Sequence, residues 1–222
     1  MISFKDDLEM FQFMKAKLYT AVLSDSLDQF GLHDQAMRAD IRPIYPEAVI
    51  VGRALTVLSI DIYERTEDPY KLEIEAVDSL KPGNVLVAST GRSVRTCFWG
   101  ELLSTAGQVR GAHGAIIDGY IRDVRRIIDM QFPVFSTGMK PVDSNGRGIV
   151  VDYNCAINCG DVVVRSGDIV FGDIDGIVVI PKQVDKDVIE WALIKVEGEN
   201  KTRDELRQGK YLHDVYEKYG IL

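Results

Sequence analysis

The chain has 222 residues, of which 46% are hydrophobic and 27% are charged, and its formal net charge is −8. This length allows one substantial core or two small ones, and the composition is ordinary for a globular protein. The acidic balance argues against a nucleic-acid binder, because such proteins neutralise phosphates with an excess of lysine and arginine. We therefore expect no nucleic acid among its partners.

The cysteines and the amino terminus indicate the cellular compartment of the protein. Cys97, Cys155 and Cys159 are odd in number and have no Cys-x-x-Cys spacing, which favours free thiols in a reducing cytosol. The first seven residues are acidic where an export signal would be basic, and no run of about 18 apolar residues is present. The sequence thus predicts a cytoplasmic protein with no membrane partner.

Hydrophobic periodicity and turn residues predict an alternation of helices and strands along the whole chain. In chain order the predicted elements are helices at 6–18 and 20–30, strands at 50–51 and 54–59, a helix at 72–80, a strand at 85–88, a loop at 91–100, a helix at 101–110, a strand at 115–118, a helix at 123–131, a strand at 133–138, a loop at 139–150, strands at 149–155 and 162–164, a hairpin at 166–181, a long helix at 183–207 and a short helix in the tail 209–222. No linker or internal repeat divides the chain, so we predict a single α/β domain over residues 1–222.

The stretch from Gly100 to Asp123 is the candidate site. About ten helical residues carry the chain roughly 15 Å in one direction, and about five strand residues bring it back by roughly 16 Å. Glu101 and Asp123, at two helix starts, therefore share the sheet edge where open α/β sheets place ligands. Arg122 joins them beside helix amino ends that favour anions. Spacing alone supports equally well that all three are solvated residues of first helical turns.

The residue types at this edge suit an oxygen-ligand metal site. Glu101 and Asp123 are the donors that Mg²⁺ or Mn²⁺ takes, and Arg122 offers a planar fork for a carboxylate or an oxyanion. Helix-start amides near residues 102–104 suit a second carboxylate. Such a set fits a 2-oxo acid, whose enolate needs a Lewis acid. Lys140, a conceivable Schiff-base amine, falls in a polar loop without the apolar pocket that lowers a lysine pKa.

The rest of the sequence offers no competing catalytic motif. The three histidines form no HExxH pattern, and there is no Gly-x-Ser-x-Gly elbow, glycine-rich dinucleotide loop or P-loop. Nucleotide-dependent chemistry is therefore unsupported, and the candidate metal site stands alone.

A family resemblance strengthens this hypothesis. The pattern Gly100-Glu101-x20-Arg122-Asp123, with Asp118-Gly119 before it, resembles the signature of the regulator of ribonuclease activity A-like family. That family includes the class II 4-hydroxy-4-methyl-2-oxoglutarate and 4-carboxy-4-hydroxy-2-oxoadipate aldolases. Further matches lie along nearly the whole chain, at residues 23–31, 52–57, 81–83, 167–181 and 217–222. The resemblance implies an α-β-β-α sandwich of the swivelling β/β/α, phosphohistidine-domain-like type, assembled as a homotrimer or homohexamer with sites between subunits.

The resemblance also assigns roles to individual residues. Asp123, which follows the arginine, would bind the divalent metal, Mg²⁺ or Mn²⁺, and Glu101 would support that metal through a water. Aldolase members often have aspartate at the position of Glu101. Arg122 would contact the substrate and stabilise the enolate or the alkoxide. Glu199, in the C-terminal helix, resembles an acidic residue that members reach across a subunit interface.

The implied substrate-binding set is Gly100, Leu102, Leu103 and Arg122, with the amides of Leu102 and Leu103 holding the pyruvate carboxylate. The implied activity is cleavage of a 4-hydroxy-2-oxo acid to pyruvate, with decarboxylation of oxaloacetate at the same site. An alternative from another class is a non-catalytic regulator that binds and inhibits a ribonuclease or helicase, as some family members do. A family scaffold with a decayed site is a third interpretation. A methyltransferase role, sometimes attached to this family, lacks its glycine-rich cofactor loop.

Overall fold

The computed structural model describes residues 4–221, so residues 1–3 of the acidic amino terminus and Leu222 of the predicted tail lie outside it. Within that range the helices are α1 (Asp7–Lys17), α2 (Thr20–Gln29), α3 (Lys71–Asp78), α4 (Glu101–Val109), α5 (Val124–Asp129), α6 (Asp185–Arg207) and α7 (Leu212–Tyr219). The strands are β1 (Arg42–Pro43), β2 (Ile50–Asp61), β3 (Asn84–Ser89), β4 (Cys97–Trp99), β5 (Gly114–Ile121), β6 (Val134–Met139), β7 (Gly148–Tyr153), β8 (Ile157–Cys159), β9 (Val162–Val164), β10 (Ile169–Asp173) and β11 (Gly176–Ile180). The predicted mixed α/β class is confirmed.

One large mixed sheet organises the described residues. Its strand order is β1-β6-β5-β3-β2-β10-β11, with β4 paired to β5 and β7 paired to β2, and β8 and β9 form a separate two-stranded sheet. Strands β2, β3, β5 and β6 run parallel, because helices α3, α4 and α5 lie between successive members of this set and carry the chain back. The predicted hairpin at 166–181 is confirmed as β10 and β11, which pair antiparallel from Ile169 opposite Ile180.

Three clusters of buried apolar side chains hold the layers together. The first lies between the sheet and helices α3, α4 and α5, and includes Trp99, Ile127 and Phe132. The second lies under the β8–β9 sheet. The third packs α1, α2 and α6 against β2, β10 and β11. The helices that carry the candidate site therefore belong to the first cluster, whereas the long helix α6 belongs to the third.

Strand β2 corrects the predicted break at Gly52. The sequence suggested two short strands around this glycine, but β2 runs without interruption from Ile50 to Asp61. A Cβ atom at position 52 would lie 2.4 Å from the carbonyl oxygen of Gly83, which is closer than real Cβ contacts allow. The glycine therefore permits close backbone approach inside a strand rather than ending it.

The two predicted loops around the site are shorter than the sequence indicated. The stretch 91–100 contains β4, and the stretch 139–150 retains loop structure only between the end of β6 at Met139 and the start of β7 at Gly148. Strand β4 has three residues, too few for a periodic signal, and its pairing partner lies about 20 residues further along the chain. Tertiary pairing therefore decides its conformation.

No helix within residues 4–221 has the length and apolar character required to cross a membrane.

Candidate active site

Strands β4 and β5 bring the starts of two helices together. They pair in parallel with Trp99 opposite Ile121, and the amide of Arg122 donates to the carbonyl of Trp99 at 2.9 Å. Each strand then leads at once into a helix, since α4 starts after Gly100 and α5 starts after Asp123. The predicted meeting of Glu101, Arg122 and Asp123 at one edge is therefore observed, and β4 is its structural cause.

Asp123 is the N-cap residue of α5 and has a left-handed backbone, with φ of 59°. Aspartate tolerates this conformation better than most residues do. Its Oδ2 accepts a hydrogen bond from the amide of Glu101 at 3.3 Å and lies 3.7 Å from Arg122 Nε. Among the described residues no hydrogen bond or ion pair involves Oδ1, and the side chain is 45% exposed. One oxygen of this carboxylate is thus free to bind a cation.

Gly100 allows the two helix starts to approach each other. A Cβ atom at this position would lie 2.8 Å from Asp123 Oδ2, 3.3 Å from Arg122 Cγ and 3.4 Å from Arg122 Nε. Its backbone is extended, with φ of −154°, a conformation that any residue adopts. The absence of a side chain is therefore required for space beside Asp123 and Arg122, and not for backbone conformation.

The first turn of α4 presents two unpaired amides. The amide and the hydroxyl of Ser104 both donate to the Gly100 carbonyl, at 3.1 and 3.0 Å, and Trp99 Nε1 donates to the Ser104 hydroxyl at 2.7 Å. Ser104 is therefore a buried structural residue that fixes the turn. The amides of Leu102 and Leu103 lack an intrahelical acceptor because they lie in the first turn. They are the amides of the predicted cradle, and their binding of a carboxylate stays a prediction.

Glu101 and Asp123 supply few protein ligands for a metal. The Thr105 hydroxyl donates to the Glu101 carbonyl at 3.0 Å and lies 3.3 Å from Glu101 Oε1, so this side chain turns along its own helix. Within residues 4–221 no group of three histidine, cysteine, aspartate or glutamate side chains is arranged to hold a metal ion. A Mg²⁺ site often has one or two carboxylates and keeps several waters, and the pair Asp123 and Glu101 fits that pattern.

Arg122 has a second acidic partner that the sequence did not indicate. Its Nη2 lies 3.2 Å from Asp143 Oδ1, and the Tyr70 hydroxyl donates to Asp143 Oδ2. Burial opposes ionisation of Asp143, but the Tyr70 hydrogen bond and the charge of Arg122 lower its pKa. Tyr70 precedes α3 and Asp143 lies in the loop after β6, so no local spacing could have linked either residue to Arg122.

Glu73, in the first turn of α3, lies close to the same cluster. It is 8% exposed, and its burial together with the charge of Asp143 raises its pKa to about 7, although Arg122 acts in the opposite direction. A carboxyl group with a pKa near 7 is only partly ionised at neutral pH and adds less than a full negative charge beside Asp143. The charge of Arg122 is therefore balanced chiefly by Asp123 and Asp143.

The raised pKa of Glu73 gives a prediction about stability. In the unfolded chain the carboxyl ionises near its ordinary pKa of 4.5, whereas in the folded chain it ionises near 7. The folded state binds the additional proton, so its stability falls as pH rises from about 4.5 to about 7 and stays lower above that. We expect Glu73→Gln to remove this fall and to stabilise the protein at pH 8 by an amount on the order of 3 kcal/mol.

Urea unfolding at pH 5 and pH 8, at one protein concentration, measures this difference. Glu75→Gln, on the exposed side of the same helix, is the matched control and should change stability little at either pH. An equal effect of Glu73→Gln at both pH values would show that ionisation of Glu73 does not govern the trend.

The cleft beside these residues has a volume of about 380 Å³. Its lining residues are Ile121, Arg122, Asp123, Val124, Met139, Lys140 and Pro141. Lys140 Nζ donates to the Val94 carbonyl at 2.7 Å, so the ammonium group is held by the neighbouring loop. The cleft is large enough for a small organic acid and has Arg122 and Asp123 in its wall.

Glu199 lies elsewhere in the subunit. It belongs to α6, which packs with α2 in the third apolar cluster, and its carboxylate accepts a hydrogen bond from the Tyr19 hydroxyl. Arg203 Nη2 lies 3.7 Å from it, and the side chain is only 18% exposed. The structure thus brings together Gly100, Glu101, Leu102, Leu103, Arg122 and Asp123 but not Glu199, whose role toward a neighbouring subunit stays a prediction.

Comparison with known proteins identifies the family. The family model described as RraA-like, Aldolase/RraA, matches residues 20–179. An uncharacterized protein, MJ0644, of Methanocaldococcus jannaschii is 32% identical over 79% of this chain and 82% of its own length. A Halalkalibacterium halodurans protein named "Putative 4-hydroxy-4-methyl-2-oxoglutarate aldolase" is 31% identical over 78% of this chain and 77% of its own.

A solved structure agrees in fold. RraAS2 of Streptomyces coelicolor, described as an unusual member of the RNase ES inhibitor RraA protein family, superposes with a TM-score of 0.80 at 23% identity, covering 89% of this chain and 98% of its own. The extent of the family match and the identity of the two relatives lead to one conclusion: this chain belongs to the RraA-like family.

Proposed function

We propose that this protein is a divalent-metal-dependent aldolase that cleaves a 4-hydroxy-2-oxo acid to pyruvate and also decarboxylates oxaloacetate. The observation that carries the proposal is the juxtaposition of Asp123, with a free Oδ1, and Arg122 beside the unpaired first-turn amides of α4. A cation, a guanidinium and two amides are the groups that a 2-oxo acid and its enolate require. Relatives named as aldolases support the same class of reaction.

Substrate binding uses the groups at the shared edge. The amides of Leu102 and Leu103 hold the carboxylate of the substrate at the amino end of α4, where free N–H groups favour an anion. Arg122 donates to the oxygen on which negative charge develops, and its planar fork suits that task better than lysine would. The protein would hold Mg²⁺ or Mn²⁺ through Asp123 directly and Glu101 through a water. The cation would act as a Lewis acid toward the 2-oxo group.

The chemical step breaks the bond between C3 and C4. A water oriented by Glu101 accepts the proton of the C4 hydroxyl, the C3–C4 bond breaks, and C4 becomes the carbonyl carbon of the second product. The electron pair of the broken bond forms the enolate of pyruvate, which Arg122 stabilises. Protonation of C3 by water gives pyruvate. Oxaloacetate loses its C4 carboxylate as CO₂ and gives the same enolate, which explains why one site would perform both reactions.

The test is pyruvate release, measured with lactate dehydrogenase, from 4-hydroxy-4-methyl-2-oxoglutarate and from oxaloacetate. With Mg²⁺ present we expect turnover of both substrates, and with excess chelator we expect none. A reaction with metal but without protein corrects for spontaneous decarboxylation. Turnover that is unaffected by chelator would contradict the metal requirement, and the absence of turnover with every divalent metal would contradict the aldolase.

The competing proposal is a regulator that binds a ribonuclease or helicase. It is supported by the fold shared with RraAS2 and by the net charge of −8, which suits a basic partner. The two proposals are distinguished by measuring pyruvate release and ribonuclease inhibition with the same protein. No pyruvate release together with measurable inhibition of a ribonuclease favours the regulator, whereas metal-dependent pyruvate release without such inhibition favours the aldolase.

We also propose that the protein is a homotrimer or homohexamer with its sites between subunits, as the family membership suggests. Glu199 would then reach the site of a neighbouring copy. Its carboxylate is engaged by Tyr19 and Arg203 within its own subunit, so this role requires an exchange of partners. Sedimentation velocity measures the oligomeric state, and a monomer at assay concentration would contradict the proposal.

A further inference from the structure

Arg122 forms ion pairs with two aspartates, Asp123 and Asp143, and the two contacts differ in length. Its Nη2 lies 3.2 Å from Asp143 Oδ1, whereas its Nε lies 3.7 Å from Asp123 Oδ2. Among the described residues no hydrogen bond or ion pair involves Nη1. The closer contact is thus with Asp143, the aspartate that has no part in the proposed chemistry, and one end of the guanidinium stays available.

Asp143 is itself fixed from several directions. Its Oδ2 accepts from the Tyr70 hydroxyl, and its Oδ1 lies 3.2 Å from Arg122 Nη2. The next residue, Ser144, is buried, and its carbonyl accepts from the amides of Arg147 and Gly148, both at 2.8 Å. Arg147 Nη1 also donates to the Asp143 carbonyl at 3.2 Å. This short turn before β7 holds the Asp143 carboxylate in place.

The fixed carboxylate of Asp143 affects both the conformation of Arg122 and the distribution of charge around it. A free arginine side chain has about 2 kcal/mol of rotamer entropy, which must be lost before it can bind a developing charge. Arg122 Nε already forms a long ion pair with Asp123 Oδ2, at 3.7 Å. Without Asp143, the guanidinium would be free to close this contact to hydrogen-bond distance and so to engage the carboxylate that is proposed to hold the cation. Asp143 therefore reduces the rotamer entropy that Arg122 must lose and keeps the Asp123 carboxylate available for the cation.

We propose that Asp143, fixed by the Tyr70 hydroxyl, is a positioning residue that keeps Arg122 from closing further on Asp123 and orients its guanidinium for the enolate. This inference rests on the proposed function for its catalytic consequence, but the placement of Arg122 is testable without activity. The competing explanation is structural: the cluster would only tie the 140–147 loop to α3. The experiment must therefore report on Arg122 itself.

The variants are Asp143→Asn, which keeps the shape and removes the charge, and Tyr70→Phe, which removes only the hydroxyl. Asp143→Glu restores the charge. The matched control is Asp78→Asn, because Asp78 is an aspartate at the end of α3 that pairs with an arginine, Arg110, away from the cleft. Each protein is examined by urea unfolding, by ¹⁵N relaxation of the Arg122 Nε–H group, assigned with Arg122→Lys, and by oxaloacetate kinetics with Mg²⁺.

We expect Asp143→Asn to increase the amplitude of picosecond-to-nanosecond motion of the Arg122 Nε–H group. We also expect it to lower kcat by about 10- to 100-fold, the usual effect of losing a partner that orients a ligand group. KM should change little, because Arg122 acts mainly on the developing charge. Tyr70→Phe should show a smaller change in the same direction, and Asp143→Glu should restore part of kcat. Asp78→Asn should leave Arg122 relaxation and kcat unchanged.

Arg122 Nε relaxation that stays at the wild-type value in Asp143→Asn would overturn the inference, whatever happens to stability. Loss of activity that follows loss of stability in all variants alike would overturn it as well. An inactive wild-type protein would instead remove the proposed function, while the relaxation of Arg122 would still decide whether Asp143 positions it.

Discussion

Replacing Asp123 with asparagine is expected to abolish metal-dependent pyruvate formation. We expect kcat/KM for oxaloacetate to fall at least about 100-fold, because Lewis-acid stabilisation is worth several kcal/mol and each 1.4 kcal/mol is a factor of ten. Asparagine tolerates the left-handed backbone at this position, where φ is 59°, so the helix start should survive. Steady-state kinetics over a Mg²⁺ titration measure the loss.

The control for this variant is Asp129→Asn, because Asp129 lies at the other end of α5 and is exposed. It should retain wild-type kinetics. Circular dichroism and urea unfolding of both variants establish that the fold is intact. Full activity of Asp123→Asn would remove the assignment of the metal to this residue.

Gly100→Ala is expected to damage the site while leaving the fold almost unchanged. Alanine adopts the extended backbone found here, but its Cβ would lie 2.8 Å from Asp123 Oδ2 and 3.3 Å from Arg122 Cγ. Both side chains are half-exposed and can move, so the cost in stability should be small. Displacing catalytic groups by about 1 Å can cost 100-fold in rate, and we therefore expect kcat/KM to fall about 10- to 100-fold.

Gly107→Ala is the matched control for steric effects of a methyl group in α4. A Cβ there would meet its nearest neighbours at 3.5 to 3.7 Å, which are ordinary contacts, and alanine favours a helix interior. It should keep wild-type activity and equal or higher stability. If Gly100→Ala were as active as Gly107→Ala, the close approach at Gly100 would have no role in the site.

The sequence predicted the edge at which the site lies because a helix followed by a strand returns the chain to the edge that it left. Helix α4 has nine residues, close to the length expected, but β5 has eight residues (Gly114–Ile121) rather than about five, and the pairing of β4 with β5 brings Glu101 beside Asp123. The hairpin β10–β11 and the order of helices were predictable for the same reason, since their patterns are local. The relation to swivelling domains was implied only by the family resemblance and stays a prediction.

The features that the sequence did not reveal depend on contacts between distant segments. Strand β4 exists because Trp99 pairs with Ile121, and Gly52 is strand because the backbone at Gly83 passes close to it. Asp143 pairs with Arg122 from the loop after β6, and the Tyr70 hydroxyl donates to Asp143 from 73 residues earlier in the chain. None of these has a periodic or spaced pattern, so only the folded chain identifies the partners of Arg122.

A crystal structure with Mn²⁺ and oxalate, a stable mimic of the pyruvate enolate, tests the central claim most directly. We expect an anomalous peak at about 2.1 Å from an Asp123 carboxylate oxygen, a typical distance for a small hard cation. Oxalate should contact that ion, the guanidinium of Arg122 and the amides of Leu102 and Leu103. An ion held by other residues, or oxalate bound away from Arg122 and Asp123, would contradict the account.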